Sequence, residues 1–381
     1  AAPCSSLTLN LQKGTTMLVE ALQHSPLYDW HLAAGAKMAP FGGWEMPVEY
    51  AGAGVLAEHA AVRERIGIFD VSHLGKLQVS GPGAVDYLDS RLANDLAKGA
   101  PGHAQYTLLC NEAGGVIDDL IAYVFGPDEV LLIPNAANAT TVAAVLAEGA
   151  PAGVEIADLH HDRAVIAVAG PRSDELLAAV GLPIRLDYMA FLPVGEQTII
   201  CRTGYTGERG CELVISSGLA EQWWGRLLKA GAQLGVQACG LGARDTLRTE
   251  MGYSLHGHEL SPEIDPVSAG LSWAIGWKKA AFDGREALLA IRQAGPIRRS
   301  WGIKARGRGI PRPGMDVVDA ESGQVIGTVT SGTFSPTLHT GIGMALVDAS
   351  HGAGELVGVQ VRRRVEQFDL VKPPFVAPRL R

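Results

Sequence analysis

Three apolar runs, separated only by short polar loops, occupy the stretch between residues 105 and 135. They read QYTLLC (105–110), GGVIDDLIAYVF (114–125) and EVLLIPN (129–135). Runs of this length with turn residues between them are typical of strands that pair with their neighbours along the chain. The sequence therefore predicts an antiparallel meander here, and any fold proposed for the chain has to contain it.

Strands and helices are mixed along the rest of the chain without regular β-α-β alternation. A second hairpin is predicted at 198–216, and helical patterns fall at 57–67, 84–92, 136–149, 173–181, 223–235 and 241–252. From about Trp301 onwards the pattern changes to short strands with Gly and Pro turns, which is typical of a small β-barrel or sandwich. We therefore expect an α+β body followed by a β-rich C-terminal domain.

Composition excludes several classes of function. The net charge of −8 argues against nucleic acid as the main partner. The longest uninterrupted apolar run, AVIAVAG (164–170), is too short for a transmembrane helix. The cysteines are scattered without C-x-x-C spacing, so we expect reduced thiols in a cytoplasm-like compartment rather than disulfides or a zinc site. These cysteines are Cys4, Cys110, Cys201, Cys211 and Cys239.

The middle apolar run contains two adjacent carboxylates, Asp118 and Asp119. Side chains alternate between the faces of a strand, so these two point in opposite directions and cannot act as a pair in acid–base chemistry. The face with Asp119 also carries Tyr123 and Phe125, which makes Asp119 the better candidate for a closed pocket. The alternative is that both aspartates cap the turn after the glycines at 114–115 through local hydrogen bonds.

Two further stretches combine charged residues with a glycine-rich loop or a helix. RTGYTGERGCEL (202–213) has three glycines that permit close approach of a ligand, although it is neither a Walker loop nor a dinucleotide fingerprint. From the residues alone, Glu212 after this loop is expected to point to solvent. GARDTLRTE (242–250) places Arg244 and Arg248 one helical turn apart. They either grip a planar or anionic ligand or form solvated ion pairs, and the residues alone favour the pairs.

Two other patterns are rejected as sites. GAGVLA (52–57) fits a shortened dinucleotide motif, but the proline-containing EMPVEY before it is too short for the first strand of a doubly wound sheet. HGHE (256–259) offers two histidines without a third ligand nearby. We therefore predict no metal.

Taken together, these stretches resemble the glycine cleavage system T-protein family, aminomethyltransferases that use tetrahydrofolate. The resemblance covers roughly residues 24 to 378. It rests on GAKMAPFGGWEMPVEY (35–50), GIFDVSHLGK (67–76), NEAGGVIDDLIAY (111–123), PNAAN (134–138), RTGYTGERGCEL, GLGARDTLRTE, GLSW (270–273) and SGTFSPTL (331–338).

The resemblance implies roles for particular residues. Asp119 matches the catalytic residue of the family, and Glu212 and Arg244 match the acid and arginine that hold the pterin or neighbouring parts of folate. Four more positions match residues that line the same folate cavity, namely Tyr106, Asn135, Tyr205 and Tyr253. Arg381 is a candidate for the outer end of the ligand, although the tail has no firm motif.

The fold implied by the resemblance has domains arranged around a central folate, the last a distorted β-barrel. We expect an irregular extension over residues 1–23, which is an expression remnant, an alternative start before Met17 or a weak transit peptide. We expect a folate-binding body of two subdomains over 24–285 and the barrel domain over 286–381.

The implied reaction transfers a methylene group from the aminomethyl-loaded lipoyl arm of H-protein to tetrahydrofolate and releases ammonia. Lipoylated H-protein is then the direct partner, and the P- and L-proteins are indirect ones. No metal, flavin, nucleic acid or membrane is expected to take part. The expected location is the cytoplasm, or the mitochondrial matrix for a eukaryotic source.

Two alternatives stay open. One is a folate-dependent demethylase of a small sulfur or nitrogen compound, and the other is a folate-binding relative without transferase activity. Retention of Asp119 with Glu212 and Arg244 argues against a pure binder, which needs no catalytic acid.

A segregated basic segment is a feature of this sequence rather than of the family resemblance. Seven cations and no acid lie between Glu286 and Asp316, namely Arg292, Arg298, Arg299, Lys304, Arg306, Arg308 and Arg312. The segment is either a solvated face or a patch that steers an acidic carrier protein or a polyglutamate tail to the site.

Overall fold

The structure is a computed structural model that describes residues 21–380. Most of the predicted N-terminal extension, together with Cys4 and Arg381, therefore lies outside the described residues. Of the described cysteines, Cys110, Cys201, Cys211 and Cys239 are all free and buried, as expected of reduced thiols.

Strands outnumber α-helices along residues 21–380. The strands, in chain order, are β1 (Gln23–His24), β2 (Ala36–Phe41), β3 (Trp44–Tyr50), β4 (Ile66–Asp70), β5 (Leu77–Ser80), β6 (His103–Cys110), β7 (Val116–Gly126), β8 (Glu129–Ile133), β9 (Glu155–Asp158), β10 (Arg163–Ala169), β11 (Phe191–Pro193), β12 (Thr198–Cys201), β13 (Gly210–Ser216), β14 (Val236–Ala238), β15 (Arg298–Ala305), β16 (Asp316–Asp319), β17 (Val325–Ser335), β18 (Thr340–Asp348), β19 (Leu356–Val361) and β20 (Arg364–Val371). The α-helices are α1 (Tyr28–Ala33), α2 (Gly54–Glu64), α3 (Ala84–Arg91), α4 (Ala139–Ala147), α5 (Ser173–Ala179), α6 (Ala220–Gly231), α7 (Leu241–Met251) and α8 (Arg285–Ala294).

The larger body sheet has the strand order β11-β12-β13-β10-β4-β14. Its central strand β10 reads RAVIAVA, and the apolar run without polar alternation is typical of a strand covered on both faces. One set of alternate residues, including Ile166, packs with Trp224 and Leu227 of α6. The other set, including Val165, packs with Leu247 of α7 and with the second sheet. This sheet is therefore buried between helices and a neighbouring sheet.

The second body sheet contains the predicted meander. Its strand order is β6-β7-β8-β5-β9, and β6, β7 and β8 pair antiparallel with their chain neighbours. On one face of β7, Leu120 and Val124 pack with Leu88 of α3 and Leu146 of α4. The opposite face, with Tyr123, looks toward the first sheet. The meander is confirmed, and its alternation gives β7 one core face and one face toward the middle of the molecule.

The C-terminal β-rich region is a closed barrel with the order β15-β18-β17-β16-β19-β20. Alternate residues such as Ile303, Val347 and Phe368 fill its interior. Helix α8 lies before the barrel, and its Leu288 packs against the body. The α+β body and the barrel confirm the predicted fold class, whereas the predicted domain boundary between residues 285 and 286 stays a prediction.

The barrel is fixed to the body by a buried cluster around Glu250 of α7. The carboxylate of Glu250 lies 2.7 Å from Nη2 of Arg63 and 3.0 Å from Nε2 of His59, both from α2. The hydroxyl of Ser335 in the barrel also donates to Glu250. Within residues 21–380 no helix has the length and apolar character needed to cross a membrane.

Candidate functional site

A cavity of about 1140 Å³ lies where the two body sheets, α7 and the barrel meet. Its wall combines β6 and β7, the glycine-rich loop before β13, one side of α7 along its whole length, the segment after α7 and the start of β15. All of the residues predicted for folate binding or catalysis line it, namely Tyr106, Asp119, Asn135, Tyr205, Glu212, Arg244 and Tyr253. The fold thus brings together side chains that are spread over much of the sequence.

Asp119 projects from the cavity-facing side of β7. The hydroxyl of Tyr106 donates to its Oδ2 at 2.9 Å, and Nδ2 of Asn135 donates to its Oδ1 at 2.9 Å. Burial raises the pKa of Asp119 despite the hydrogen bonds from Tyr106 and Asn135 and the nearby His256. Burial and the charge of Asp119 raise the pKa of Tyr106 well above its usual range, so this phenol stays a donor. The cavity wall thus contains the carboxyl group of Asp119, whose proton affinity is raised, hydrogen-bonded to the hydroxyl of Tyr106.

Asp118 lies fully buried on the other face of β7. Its carboxylate accepts hydrogen bonds from the backbone N–H of Asn135 at 2.9 Å and from Nδ2 of Asn138 at 2.7 Å. The alternative reading, that the two aspartates cap the preceding turn, is wrong, because the side chain of Asn111 closes that turn by accepting from the backbone N–H of Gly115. The two aspartates point to opposite faces as predicted, but the amide of Asn135 contacts both carboxylates, so they are not independent.

Glu212 lies on β13 and faces the cavity. The hydroxyl of Thr203 donates to its Oε2 at 2.6 Å, and the hydroxyl of Tyr123 lies 2.9 Å from that of Thr203. The expectation from the residues alone, that Glu212 points to solvent, is therefore wrong. The expectation is wrong because the second body sheet packs over the face of β13 that carries Glu212. Thr203 therefore fixes the orientation of the Glu212 carboxylate, which lines the cavity.

The two arginines of α7 have different environments. The ion pairs expected from the residues alone form only at Arg248, whose Nη2 lies 2.7 Å from the half-exposed Asp245. Arg248 is buried, with Nη1 3.0 Å from Glu259 and Nη2 2.8 Å from the hydroxyl of Ser331. Arg244 lies with its guanidinium 4.8 Å from the centre of the Tyr205 ring. Its Nη1 is buried and has no hydrogen-bond partner among residues 21–380. Arg248 is a structural group, and Arg244 has a donor left over for a ligand.

Aromatic rings form much of the remaining cavity wall. Tyr205 stacks on Tyr253 with ring centres 5.7 Å apart, and the hydroxyl of Tyr205 donates to the carbonyl of Ser254. Trp273 stacks on Tyr106 at 5.4 Å while remaining 66% exposed. Sequence reasoning did not single out Trp273, although it closes the GLSW stretch, and an aromatic residue after a loop glycine could have drawn attention to it. Stacked rings beside fixed polar groups suit a flat heteroaromatic ligand.

The histidines of the HGHE stretch serve the backbone. Nε2 of His256 lies 3.0 Å from the carbonyl of Val116, and Nδ1 of His258 lies 2.8 Å from the carbonyl of Thr330. In the part of the chain that the structure describes, no group of three or more His, Cys, Asp or Glu side chains is arranged to hold a metal ion.

The basic segment does not form one uniform face. Arg292 lies over the ring of Trp277, and Arg306 pairs with Asp369 at 2.7 Å. Arg299, by contrast, reaches the cavity wall. Sequence reasoning placed Arg299 in the segment but did not assign it to the cavity, because β15 is far in the chain from the other wall residues.

Comparisons with known proteins agree with this arrangement. The family model of the GCVT N-terminal domain matches residues 27–279, and that of the glycine cleavage T-protein C-terminal barrel domain matches residues 298–377. The chain therefore belongs to the glycine cleavage T-protein family, the aminomethyltransferases of the glycine cleavage system, which use tetrahydrofolate. The resemblance drawn from the sequence is confirmed.

Individual relatives match along most of their length. An aminomethyltransferase of Frankia alni is 57% identical over 93% of this chain and 98% of its own, and one of Parafrankia sp. is 56% identical with the same coverage. One of Mycobacterium tuberculosis is 51% identical over 95% of this chain and 99% of its own. The crystal structure of glycine cleavage system aminomethyltransferase T from Bartonella henselae has a TM-score of 0.90 and 36% identity, covering 94% of this chain and 99% of that chain.

Proposed function

We propose that the chain transfers the methylene of an aminomethyl group, carried on the lipoyl arm of H-protein, to tetrahydrofolate. Ammonia and 5,10-methylenetetrahydrofolate are the products. The observation that carries the proposal is the convergence of Asp119, Glu212 and Arg244 on one cavity, although they lie on three elements distant in the chain. Its volume of about 1140 Å³ is sufficient for a ligand of folate size.

We assign the pterin end of the ligand to the Glu212 side of the cavity. A pterin ring has an edge with adjacent N–H donors, which a carboxylate accepts in a bidentate manner. Thr203 orients Oε2 of Glu212, so the acceptor is positioned before the ligand arrives. The free N–H of Arg244 and the face of Tyr205 complete a polar and aromatic cradle.

We assign the catalytic role to Asp119. In the net reaction, N5 and N10 of tetrahydrofolate each lose a proton and bond to the methylene carbon, while the carbon–sulfur and carbon–nitrogen bonds of the aminomethyl group break. The leaving amine and the sulfur each gain a proton, so atoms and charge balance. A partly buried carboxyl group with raised proton affinity, oriented by Tyr106 and Asn135, suits the relay of a proton from the folate nitrogens to the amine.

The proposal includes further assignments that follow from the family. Tyr106, Asn135, Tyr205 and Tyr253 are folate-binding residues. Lipoylated H-protein is the direct partner, the P- and L-proteins are indirect partners, and no metal, flavin, nucleic acid or membrane takes part. The reaction takes place in the cytoplasm of a bacterial cell, or in the mitochondrial matrix of a eukaryotic one.

The test is ammonia release from aminomethyl-loaded lipoyl carrier protein, with and without tetrahydrofolate, for the wild type and for Asp119→Asn. We expect folate-stimulated release from the wild type and a fall of about 10²-fold or more in the variant. Binding of tetrahydrofolate to both proteins is the control, and we expect it to be nearly unchanged. Near-normal turnover in Asp119→Asn would contradict its catalytic role. Absence of release from a wild type that binds tetrahydrofolate would favour the demethylase or the binder.

A further inference from the structure

One amide nitrogen in the cavity wall serves three acceptors. Nδ2 of Asn135 lies 2.9 Å from Oδ1 of Asp118, 2.9 Å from Oδ1 of Asp119 and 3.0 Å from the carbonyl oxygen of Asp119. A primary amide has only two N–H groups. The carboxylates on opposite faces of β7 therefore compete for one donor group. A change of charge or position at either carboxylate alters the hydrogen bonding of the other.

The position of Asn135 follows from how β8 ends. The pairing of β7 with β8 reaches Ile121 and Ile133 and stops there. Beyond that point Asn135 runs beside the edge of β7 and donates its backbone N–H to Oδ2 of Asp118 at 2.9 Å. Asp118 thus binds Asn135 through the backbone and the side chain together, which fixes the rotamer that reaches Asp119. Asn138 holds the same carboxylate from the other side.

Neither carboxylate is hydrogen-bonded to a cationic side chain of residues 21–380. The hydrogen-bond partners of Asp118 in this range are amides only, and those of Asp119 are the Tyr106 hydroxyl and Asn135. The titratable groups that face Asp119 from neighbouring elements are Tyr106, Tyr205 and His256. Two nearby carboxylates in a low-dielectric site cannot both ionise without a large cost, so one of them retains a proton at higher pH.

We propose that Asp118 is a positioning residue of the transfer reaction, which holds the Asn135 amide against Asp119 and shares one negative charge with it. The inference rests on the function proposed above, because it concerns the residue assigned as catalytic. Burial, followed by the charge of Asp119, raises the pKa of Asp118 well above that of an exposed aspartate, against the hydrogen bonds from Asn138 and Asn135. When the two carboxyl groups share one negative charge, the part carried by Asp119 lies on the cavity side, where the reaction needs a base.

The kinetic test compares Asp118→Asn with Asn138→Ala. In Asp118→Asn, only one acceptor oxygen is left for the backbone N–H and Nδ2 of Asn135, so one of these two donors faces an amide N–H and Asn135 is held less firmly against Asp119. We expect kcat to fall about tenfold or more while KM for tetrahydrofolate changes by less than about twofold. Asn138→Ala also disturbs Asp118 but leaves both contacts to Asn135, and we expect less than about a threefold loss of kcat. Equal losses in the two variants, or a loss in KM alone, would overturn the proposal.

A spectroscopic test does not depend on activity or on the folding of Asp118→Asn. The infrared band of a protonated carboxyl group is followed during a pH titration of the wild type and of Asp119→Asn. We expect the wild type to retain a band to distinctly higher pH than the variant, because removal of the Asp119 charge lowers the pKa of Asp118. Identical titration curves for the wild type and Asp119→Asn would overturn the proposal that Asp118 and Asp119 share one negative charge. A wild type that shows the shifted band but no transferase activity would support the coupling and count against the proposed function alone.

Discussion

Two regions of the molecule bury carboxylates, and they surround them with opposite chemistry. At the junction of body and barrel, Glu250 contacts the cationic side chain of Arg63 and the imidazole of His59. On β7, by contrast, the partners of Asp118 are amides, those of Asp119 are an amide and the Tyr106 phenol, and the Asn135 amide contacts both carboxylates. Burial raises the proton affinity in both places, but the hydrogen bond and charge of His59, with Ser335 and Arg63, outweigh it and lower the pKa of Glu250 to about 2. For Asp118 nothing outweighs burial, and its pKa rises.

The chemistry of the partners distinguishes a buried carboxylate that stabilises the fold from one that serves the reaction. A carboxylate with cationic partners is ionised at all ordinary pH values and ties two domains together. A carboxylate without them exchanges a proton near neutral pH, which is a cost for stability and a requirement for acid–base work. The two arginines of α7 show the same contrast, because Arg248 is saturated with partners and Arg244 is not.

The largest effect on stability is expected from Glu250→Gln. The change removes one of the two buried carboxylate partners of Arg63 and leaves Glu208 as the other, and we expect the free energy of unfolding to fall by roughly 3 kcal/mol. Urea denaturation midpoints measure it. Asp174→Asn is the matched control, because Asp174 pairs with Arg209 at a half-exposed site, where a pair is worth less than about 1 kcal/mol. Equal losses in both variants would remove the distinction drawn above.

The pH dependence of stability should have opposite signs in the two regions. The pKa of Glu250 is lower in the folded state, so its stabilisation is complete above the unfolded pKa of about 4.3 and disappears as pH falls toward 2, a change of about 3 kcal/mol. The pKa of Asp118 is higher in the folded state, so stability is lost as pH rises above about 3.9. Thermal midpoints are measured across pH 2–9. Glu250→Gln should reduce the fall of the midpoint below about pH 4.3, and Asp118→Asn should reduce its fall above about pH 3.9. If Glu250→Gln changed the neutral range and Asp118→Asn the acid range, the directions given for the two pKa values would be wrong.

Conservative replacement should distinguish the two arginines. Arg244→Lys loses the planar donor beside Tyr205, and we expect about a tenfold loss of tetrahydrofolate affinity, or about 1.4 kcal/mol, with little change in unfolding. Arg248→Lys loses fixed bonds to Glu259 and Ser331, and we expect mainly lower stability. Calorimetric titration and urea denaturation of both variants separate the effects. A larger affinity loss in Arg248→Lys would show that the unpaired N–H of Arg244 is not the one a ligand uses.

The smallest effect concerns the basic segment. If the exposed part of it steers an acidic carrier, carrier-dependent kcat/KM should fall by about threefold between about 0.01 M and 0.15 M ionic strength. Lys304→Glu, on the exposed side of β15, should lower kcat/KM at low salt more than Lys37→Glu, an exposed lysine outside the segment. Rates that do not depend on salt would leave the segment as a solvated face.

Local pattern predicted the parts of the fold that local interactions determine. The β6-β7-β8 meander and the helix with Arg244 follow from periodicity, and alternation alone put Asp119 on the face that proves to line the cavity. Periodicity could not divide the body into its sheets, because the adjacent strands β4 and β5 belong to the six-stranded and the five-stranded sheet, respectively, and β1, β3 and β2 form a third.

The candidate site was only partly predictable for a related reason. Glu212 sits on a strand face that is covered by a sheet from elsewhere in the chain, so its own neighbours in sequence indicate solvent. The positions of Trp273 and Arg299 at the cavity depend on packing between domains. The family resemblance supplied Glu212 and Arg244, whereas the link from Asp118 through Asn135 to Asp119 required coordinates.

The interleaving of the two sheets has a consequence for the order of folding. Strands β4 and β10 are hydrogen-bonded neighbours, yet the whole second sheet lies between them in the chain, and its first and last strands, β5 and β9, also pair. Closing so long a loop is entropically unfavourable unless the intervening chain is already compact. We expect amide protection to develop in the β6-β7-β8 hairpins before it develops across β4 and β10. The strand that carries Asp118 and Asp119 would then be in place before the rest of the cavity wall assembles around it.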